Sequence, residues 1–320
     1  MLARTPDQKR MRDGYAETVI ELAKADDRIL FVSVDCGGSE REFFRRENRG
    51  RLIEVGLAEA NSATVSAGLA VEGFKPYVLN FAYLLARMYN QMSQSISEDG
   101  YNVKIAAYYA GIWGIGGRSH NCVTDLAFMR ALPNFSIFAP ADYWATKSLV
   151  RHTDALTNPT YLRLSGVTTP VVYESEPPFA PARRLTDGTS CTIFCHGTMV
   201  AEALRANRDG ELNASVIDLS QIKPLPEEEI VREARRTGGV VVAEEHSLIG
   251  GAGEAIAALI ARECPMPVRI VAVPDMFPWS ILMEEKNAYQ YYGISWEDIV
   301  KAAHAVSGDS VAKVAGRVKS

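Results

Sequence analysis

The chain has 320 residues, 47% of them hydrophobic and 23% charged, so it is long enough and apolar enough to bury the cores of two domains. Its formal net charge of -5 gives no electrostatic reason to expect nucleic acid or an anionic membrane surface as a partner. The apolar runs are too short to cross a bilayer, and the N-terminal segment lacks the apolar core of a secretory signal. The five cysteines are scattered and form no CxxC pair. We therefore expect a cytoplasmic protein with reduced thiols.

Strand and helix patterns alternate through the first half of the chain. Short β-branched or aromatic runs predict strands, and apolar positions at helical spacing predict helices. In chain order, the predicted elements are a helix at 12–24, a strand at 29–35, a helix at 56–73, a strand at 75–81, a helix at 84–97, a strand at 103–109, a helix at 124–132, a strand at 135–140, a helix at 141–153 and a strand at 159–165. Such alternation with short connections predicts a doubly wound, mostly parallel sheet.

A Pro-rich segment without clear periodicity, residues 171–188, is interpreted as a linker that separates a first domain (1–170) from a second one (189–320). Beyond the linker the alternation resumes, which predicts a smaller α/β domain. Its predicted elements are a strand at 190–197, a helix near 199–207, a strand at 214–220, a helix at 227–237, a strand at 238–246, a helix that begins near the glycines 250 and 251, and a strand at 267–274.

Glu59 lies in the segment VGLAEANSATVSAGLAVEG, whose side chains are mostly small. A helix of small residues packs closely against another surface, and a carboxylate on its first turn would be partly desolvated and able to share a proton with a partner. Alternatively, Glu59 only complements the positive end of the helix dipole. Composition alone favours this second interpretation.

The string VGLAEAN resembles the signature of transketolases and related thiamine diphosphate enzymes that carries the glutamate facing the cofactor's aminopyrimidine ring. The resemblance implies that Glu59 bonds a ring nitrogen of thiamine diphosphate and assists, as an acid–base group, in activating the cofactor. The segment NFAYLLARMYNQ (80–91) is similar to the family segment that ends in R-x-Y-D-Q. By this likeness Tyr83 takes the position of the aromatic residue stacked on the pyrimidine, with Phe81 and Arg87 in the same cofactor-binding segment.

Other parts of the chain resemble the same family. The run DLAFMRALPNFSIFAPAD (125–142) is similar to the segment that follows the family's active-site loop. The strings VIDLSQIKPLP and VVVAEEHSLIGGAGEA are similar to its C-terminal domain. The resemblance covers nearly the whole chain and implies a pyrimidine-binding domain over 1–170 followed by the smaller transketolase C-terminal domain over 189–320.

The G-D-G segment with which the family holds the cofactor's diphosphate and metal ion has no counterpart in the sequence. Mg²⁺ requires oxygen ligands in strict geometry together with phosphate oxygens. We therefore expect no metal ligand in this chain, and a second polypeptide of the N-terminal type to hold the diphosphate and Mg²⁺ or a similar divalent ion. By analogy with the family, two such chains and two partners would form a heterotetramer.

The loop GIGGRSH (114–120) stands where transketolases usually have G-E-D-G-x-T-H. The resemblance makes His120 a candidate for proton transfer near the reacting carbons. Gly116 replaces an aspartate that contacts a donor hydroxyl, and Gly166 replaces an arginine that binds the sugar phosphate. Loss of a bidentate guanidinium removes the strongest kind of phosphate contact.

Four residues remain as candidates for substrate binding. Arg12 and Ser33 lie at positions that the resemblance associates with phosphate, and Tyr109 stands where a substrate-contacting histidine is expected. Arg118, next but one to His120, could bring a charge from another direction or could be a solvated loop residue.

The leading hypothesis is thus one subunit of a two-chain enzyme that transfers a two-carbon ketol unit, with an atypical donor or acceptor. A second hypothesis is the beta subunit of a 2-oxo acid dehydrogenase-like pair, which would pass an acyl unit such as glycolyl to a lipoyl or carrier-protein thiol. A third is a non-catalytic scaffold subunit. The run DLAFMRALPN and the R-x-Y-x-Q spacing favour the first over the second, and the presence of Glu59 and His120 disfavours the third.

Overall fold

A computed structural model of the chain describes residues 9–47, 49–112, 117, 120–278 and 285–307, with the backbone alone at 285–287. Strands and helices alternate along this part of the chain, so the predicted α/β class is confirmed. None of the described helices is both long enough and apolar enough to cross a bilayer.

The first half of the chain folds mainly around one sheet. In chain order its elements are β1 (Lys9–Arg10), α1 (Met11–Ala25), β2 (Ile29–Ser33), α2 (Ser39–Glu47), β3 (Leu52–Glu54), α3 (Glu59–Val71), β4 (Lys75–Phe81), α4 (Leu85–Gln91), β5 (Lys104–Ala110), α5 (Asp125–Ala131), β6 (Ser136–Phe138), α6 (Tyr143–Ala155), β7 (Thr160–Ser165) and β8 (Thr168–Thr169). A 3₁₀ turn at Ala82–Leu84 precedes α4 and a π-helical turn at Met92–Ser97 follows it, so the single helix predicted there is three consecutive helical pieces.

The second half has its own sheet with helices around it. Its elements are β9 (Arg183–Arg184), β10 (Thr192–Cys195), α7 (Met199–Asp209), β11 (Ser215–Asp218), β12 (Gln221–Lys223), α8 (Glu227–Ala234), β13 (Val240–Ser247), α9 (Ala252–Glu263), β14 (Val268–Val273), α10 (Glu285–Tyr292) and α11 (Trp296–Val306). The short strand β9 lies inside the segment interpreted as a linker and pairs antiparallel with β11.

The first sheet is seven-stranded, in the order β12-β6-β7-β5-β4-β2-β3, and its neighbours are parallel except for β12 against β6. The second is five-stranded, in the order β14-β13-β10-β11-β9, and is parallel except for β9. The doubly wound, mostly parallel architecture predicted from the alternation is confirmed. Every residue of β2 is buried, as expected for a strand covered by helices on both faces.

Four elements of the first half, the two-residue strands β1 and β8 together with α2 and β3, were not predicted. The helix α2 (SEREFFRRE) buries only Glu40 and Phe44, so it has no apolar stripe by which the sequence could reveal it. Its exposed charges bond the neighbouring strand instead, since Arg41 Nε lies 2.7 Å from an oxygen of Glu54. Tertiary contacts, not local periodicity, stabilise this part of the fold.

The segment between the two sheets is bonded to both. Asp142, at the start of α6, accepts hydrogen bonds from the backbone N–H groups of Val172 (2.7 Å) and Tyr173 (2.8 Å). The Tyr173 hydroxyl donates to Oδ2 of Asp218 in β11 at 2.6 Å. Two buried carboxylates, one in each half of the chain, therefore hold residues 172 and 173 between them.

The carboxyl ends of the parallel strands β3, β2, β4, β5 and β7 meet at one edge of the first sheet. Ligand sites of open α/β sheets lie at this edge, where the loops that leave neighbouring strands converge. Ser33, Phe81 and Ala110 end their strands there, and α3 begins five residues after β3 ends, at Glu59.

Candidate active site

Glu59 is the first residue of α3, and its side chain is only 2% exposed. The guanidinium of Arg87, in α4, lies against it with Nη1 3.4 Å from Oε1 and Nε 3.3 Å from Oε2. Oε1 accepts a hydrogen bond from Arg87, whereas Oε2 is buried and has no partner in hydrogen-bonding geometry. A buried carboxylate oxygen without a hydrogen bond is a costly feature that a ligand donor would relieve.

An aromatic cluster lies beyond the end of β4. The ring of Phe81 contacts Tyr108 (centroids 5.0 Å apart), Tyr109 (4.9 Å) and the imidazole of His120 (5.0 Å). The ring of Tyr109 lies 5.5 Å from that of His120. The structure thus brings three of the predicted site residues, Phe81, Tyr109 and His120, into one group.

A bulge at the end of β5 determines where the two tyrosines of this cluster lie. Ala107 pairs with Arg163 and Ala110 pairs with Ser165, so the two residues Tyr108 and Tyr109 oppose one residue of β7. Tyr109 has a φ of +61°, a conformation that an aromatic residue rarely adopts. The strained bulge turns the two neighbouring tyrosine rings towards different parts of the site.

Arg12 faces the other tyrosine of the bulge. Its guanidinium carbon lies 4.6 Å from the ring centroid of Tyr108, and Nη2 donates to the carbonyl of Gly37 at 2.7 Å. Among the described residues, Arg12 has no carboxylate within ion-pair distance. An arginine fixed by an aromatic face and a carbonyl keeps its remaining donors for an anion.

Ser33 and Cys36 complete this side of the site. The Ser33 hydroxyl donates to the carbonyl of Cys36 (3.1 Å), and the Cys36 thiol lies 3.0 Å from the Tyr108 hydroxyl. Burial raises the pKa of Cys36 to about 11, and burial together with the neighbouring sulfur raises that of Tyr108. Both groups are therefore protonated near neutral pH and act here as neutral hydrogen-bonding groups. Nothing in this geometry makes Cys36 a nucleophile.

One predicted site residue, Tyr83, lies apart from this cluster. Tyr83 lies in the 3₁₀ turn before α4 and is 44% exposed, outside the aromatic cluster that Phe81 forms. Arg118 and Gly116 fall outside the described residues. The alternatives for Arg118 therefore stay predictions.

The second half of the chain reaches this edge through the end of β13. Glu245 is 1% exposed, and its Oε1 accepts a hydrogen bond from the backbone N–H of Ile112 at 2.7 Å. The hydroxyl of Thr198 donates to Oε2 at 2.6 Å. Ile112, which begins the loop that leads to His120, thus donates a hydrogen bond to a carboxylate of the other sheet.

A buried ion pair supports the same region. Arg163 in β7 makes two hydrogen bonds to Asp125, at 2.8 and 3.1 Å, and a third to the carbonyl of Glu245 at 2.9 Å. Tyr161 also donates to Asp125, at 2.8 Å. Burial alone would raise the pKa of Asp125, but the adjacent Arg163 guanidinium outweighs it and holds that pKa below its usual range. These contacts give Arg163 a structural role at the boundary of the two halves.

Tyr108, Cys36 and Glu245 were not selected from the sequence. Tyr108 and Tyr109 are adjacent residues of the same type, so the sequence does not show which of the two contacts Arg12. The bulge in β5 determines that it is Tyr108. Glu245 lies in a buried strand of the second half, and its contact with Ile112 joins residues 133 positions apart. A pair of adjacent glutamates in the apolar run VVVAEEH was the available signal.

Among the described residues, no group of three or more His, Cys, Asp or Glu side chains is arranged to hold a metal ion. Residues that could hold an organic cofactor are Glu59, whose Oε2 accepts no hydrogen bond and can pair with a ring nitrogen, and the aromatic side chains around Phe81 at the end of β4.

Protein-family models match both halves of the chain. The transketolase pyrimidine-binding domain matches residues 7–169, and the transketolase C-terminal domain matches residues 180–299. Together these two matches cover most of the chain.

Similar proteins include subunits and full-length enzymes. The chain is 34% identical to the 6-deoxy-6-sulfo-D-fructose transketolase subunit of Clostridium sp. (strain MSTE9), over 93% of this chain and 94% of that one. It is 34% identical to an apulose-4-phosphate transketolase subunit of Phocaeicola vulgatus, over 91% of this chain and 96% of that one. The match to the 1-deoxy-D-xylulose-5-phosphate synthase of Crocosphaera subtropica (32% identity) spans 82% of this chain but 43% of the synthase.

A solved structure described as a split gene transketolase, inactive beta4 tetramer, superposes with a TM-score of 0.83 at 34% identity, covering 93% of this chain and 97% of that one. This chain therefore matches the split subunits along nearly their whole length and the full-length synthase along less than half of it.

Proposed function

Since this chain belongs to the transketolase family, we propose that it supplies the pyrimidine-binding half of a two-chain enzyme that transfers a two-carbon ketol unit with thiamine diphosphate as cofactor. The observation that carries the proposal is the buried Oε2 of Glu59 at the start of α3, which accepts no hydrogen bond and belongs to the residue that the sequence resemblance assigns to the family's glutamate. That oxygen fits a ring nitrogen of the aminopyrimidine, because the pair would satisfy an acceptor that the chain itself leaves open.

Thiamine diphosphate supplies, when bound, the carbon nucleophile on which ketol transfer depends. The Glu59 carboxyl group would hold the ring nitrogen through a shared proton, and the Arg87 guanidinium fixes the orientation of that carboxyl group. Phe81 would supply an aromatic contact to the pyrimidine, with Tyr83 exposed in the turn that follows it. His120, which the rings of Phe81 and Tyr109 hold in place, moves a proton to or from the substrate hydroxyls.

The proposal requires a second polypeptide. The sequence contains no G-D-G segment, and the described residues contain no candidate metal site, so the diphosphate and Mg²⁺ would be held by a partner of the N-terminal type. Two relatives that match this chain along nearly their whole length are named as subunits. Two chains of each kind would form a heterotetramer with the cofactor between unlike chains.

The substrate would be an atypical sugar. Gly166 and Tyr109 stand where the family has an arginine and a histidine, and within the described part of the site Arg12 is a guanidinium that is fixed and has donors left for an anion. A single such contact suits a donor whose terminal group differs from that of the common pentose phosphates. Two of the similar subunits are named for a sulfonated sugar and for apulose 4-phosphate, which supports this choice of substrate class.

Reconstitution tests the proposal directly. The chain would be coexpressed with an N-terminal-type transketolase chain of the same organism that carries a G-D-G segment. The copurified pair would be assayed with thiamine diphosphate and Mg²⁺ on phosphorylated, sulfonated and uncharged ketoses. We expect turnover only with both chains and the cofactor present. Turnover of xylulose 5-phosphate and ribose 5-phosphate at the rate of ordinary transketolases would reject the atypical substrate. A complex that neither binds nor needs thiamine diphosphate would reject the function.

A further inference from the structure

The end of β13 leaves regular pairing with β14. Ala243 pairs with Val271 and Ser247 with Val273, so three residues of β13 (244–246) oppose one residue of β14. This irregularity lies at the boundary between the two sheets and allows the side chain of Glu245 to leave its own sheet. The carboxylate then lies against the first half of the chain, 2.7 Å from the backbone nitrogen of Ile112.

Gly111 shows how close this approach is. A Cβ atom at Gly111 would lie 2.5 Å from Oε2 and 2.8 Å from Oε1 of Glu245, closer than real Cβ contacts come. The φ of Gly111 is +91°, which a residue with a side chain rarely adopts. The end of β5 can therefore approach the Glu245 carboxylate this closely only because residue 111 is glycine.

The far end of the same loop is bonded to the second half as well. The backbone N–H of Ser247 donates to the carbonyl of Val123 at 2.6 Å. Gly111 and Cys122 join the two ends to each other through backbone hydrogen bonds of 2.6 and 3.0 Å. His120 lies between these ends, two residues before Cys122.

Donors from another strand and from a turn bond both the side chain and the main chain of Glu245. Thr198 donates to Oε2, and Arg163, itself bonded to Asp125, donates to the carbonyl of Glu245. These bonds fix both the side chain and the main chain of Glu245 in a water-poor interface. A carboxylate held this firmly can set the position of the N–H group that it accepts.

We propose that Glu245, a residue of the second domain, is a positioning residue that sets the place of His120 by holding the main chain at Gly111 and Ile112. This inference rests on the proposed function only in taking His120 as the proton-transfer group. It gives the C-terminal domain a specific part in the reaction, since a carboxylate on one sheet would fix a loop that leaves the other.

The test uses the reconstituted two-chain complex with Glu245→Ala, Glu245→Gln and Thr198→Val. The alanine variant removes the acceptor. The glutamine amide oxygen can still accept from Ile112 while its NH₂ group donates to the Thr198 hydroxyl. Valine at 198 keeps the shape but loses the donor that orients the carboxylate, so it reports on the same interaction if the alanine variant does not fold.

We expect kcat to fall at least tenfold in Glu245→Ala and by a smaller factor in Thr198→Val. In Glu245→Gln, kcat should return towards the wild-type value. The KM for the donor should stay within threefold of wild type in all three variants. Hydrogen exchange at Ile112 should accelerate in the same order. Tyr173→Phe, which removes a different hydrogen bond near the boundary of the two halves, is the matched control and should leave kcat and Ile112 exchange unchanged.

A kcat within twofold of wild type in both Glu245→Ala and Thr198→Val, or unchanged exchange at Ile112 in both, would overturn the positioning role. A purified wild-type complex without turnover would instead reject the proposed function. In that case the exchange measurements still decide whether Glu245 holds the loop.

Discussion

Arg87 and Glu59 form an ion pair whose two members differ sharply in exposure: the Glu59 side chain is 2% exposed and that of Arg87 is 63% exposed. The guanidinium donates a hydrogen bond to Oε1 and lies within ion-pair distance of Oε2, while Oε2 itself is buried and accepts no hydrogen bond. Arg87 thus orients the carboxylate, and Oε2 can still accept a hydrogen bond from a ligand.

Replacing Glu59 with Gln should lower kcat of the reconstituted complex by roughly 10²–10⁴-fold, the usual contribution of a positioned acid–base group. The amide retains the size of the carboxyl but cannot exchange a proton with the pyrimidine. Steady-state kinetics at saturating cofactor measures the effect, and the melting temperature should stay within a few degrees of wild type.

Glu72→Gln is the control for that change, because Glu72 follows the last residue of the same helix and is exposed. Its kcat should equal that of wild type. Activity of the Glu59→Gln complex close to that of the control would contradict the assignment of Glu59 and would favour a non-catalytic scaffold subunit.

Much of the architecture could be predicted because parallel strands buried on both faces leave a strong signal in the sequence. The strand at 75–81 was predicted with the bounds that β4 has. By contrast, α2 has few apolar residues and is held by Glu40, Phe44 and ion pairs to Glu54, so nothing local predicts it. The fold, predicted from the alternation of strand and helix patterns, is confirmed by the two mostly parallel sheets, and the family, predicted from motifs, by the matches to the two transketolase domains.

The site was less accessible to sequence reasoning. Motifs pointed to Glu59, Phe81 and His120 because each lies in a string resembling one in the family. Tyr108 could not be separated from Tyr109, since the choice depends on a bulge that the strand pattern does not encode. The contact of Glu245 with Ile112 depends on how two sheets meet, which no local pattern specifies.

Arg12→Lys should raise the KM for an anionic donor roughly tenfold, about 1.4 kcal/mol of binding free energy. The lysine ammonium lacks the planar fork that contacts the Tyr108 ring and the Gly37 carbonyl while it binds an anion. The KM for an uncharged ketose should not change, so comparing the two donors isolates the charge. Arg10→Lys is the control, because Arg10 is already paired with Asp13 at 2.9 Å. Equal effects on charged and uncharged donors would remove Arg12 from the anion site.

Arg163→Met should destabilise the chain by about 3–5 kcal/mol, since it leaves the fully buried Asp125 without its cation. Urea unfolding at pH 7 measures the loss, with Arg232→Met as the exposed control expected within about 0.5 kcal/mol of wild type. The folded pKa of Asp125 is lowered, so its contribution is present above the unfolded pKa and disappears as the pH falls through the folded one. The difference between variant and wild type should therefore shrink in acid, and a difference independent of pH would contradict the ion-pair explanation.

Because of Asp218, the free energy of unfolding should decrease as the pH rises from about 4 to about 7. Its side chain is buried, Oδ1 has no hydrogen-bond partner, and burial raises its pKa to about 7 despite the hydrogen bond from Tyr173. The nearby charge of Asp142 acts in the same direction as burial, and Arg183 acts against it. Because the folded chain holds this proton at pH values where the unfolded chain has released it, raising the pH favours unfolding in this window.

Asp218→Asn keeps an oxygen that accepts from Tyr173 and cannot ionise, so its stability should not show this decrease. At pH 8 the variant should be more stable than wild type by no more than about 4 kcal/mol, the value for three pKa units, and near pH 4 the two should agree. Urea unfolding followed by circular dichroism from pH 4 to pH 8 measures both curves. Asp209→Asn, at the exposed end of α7, serves as the control. Parallel curves for wild type and Asp218→Asn would mean that this carboxyl ionises as freely in the folded chain as in the unfolded one.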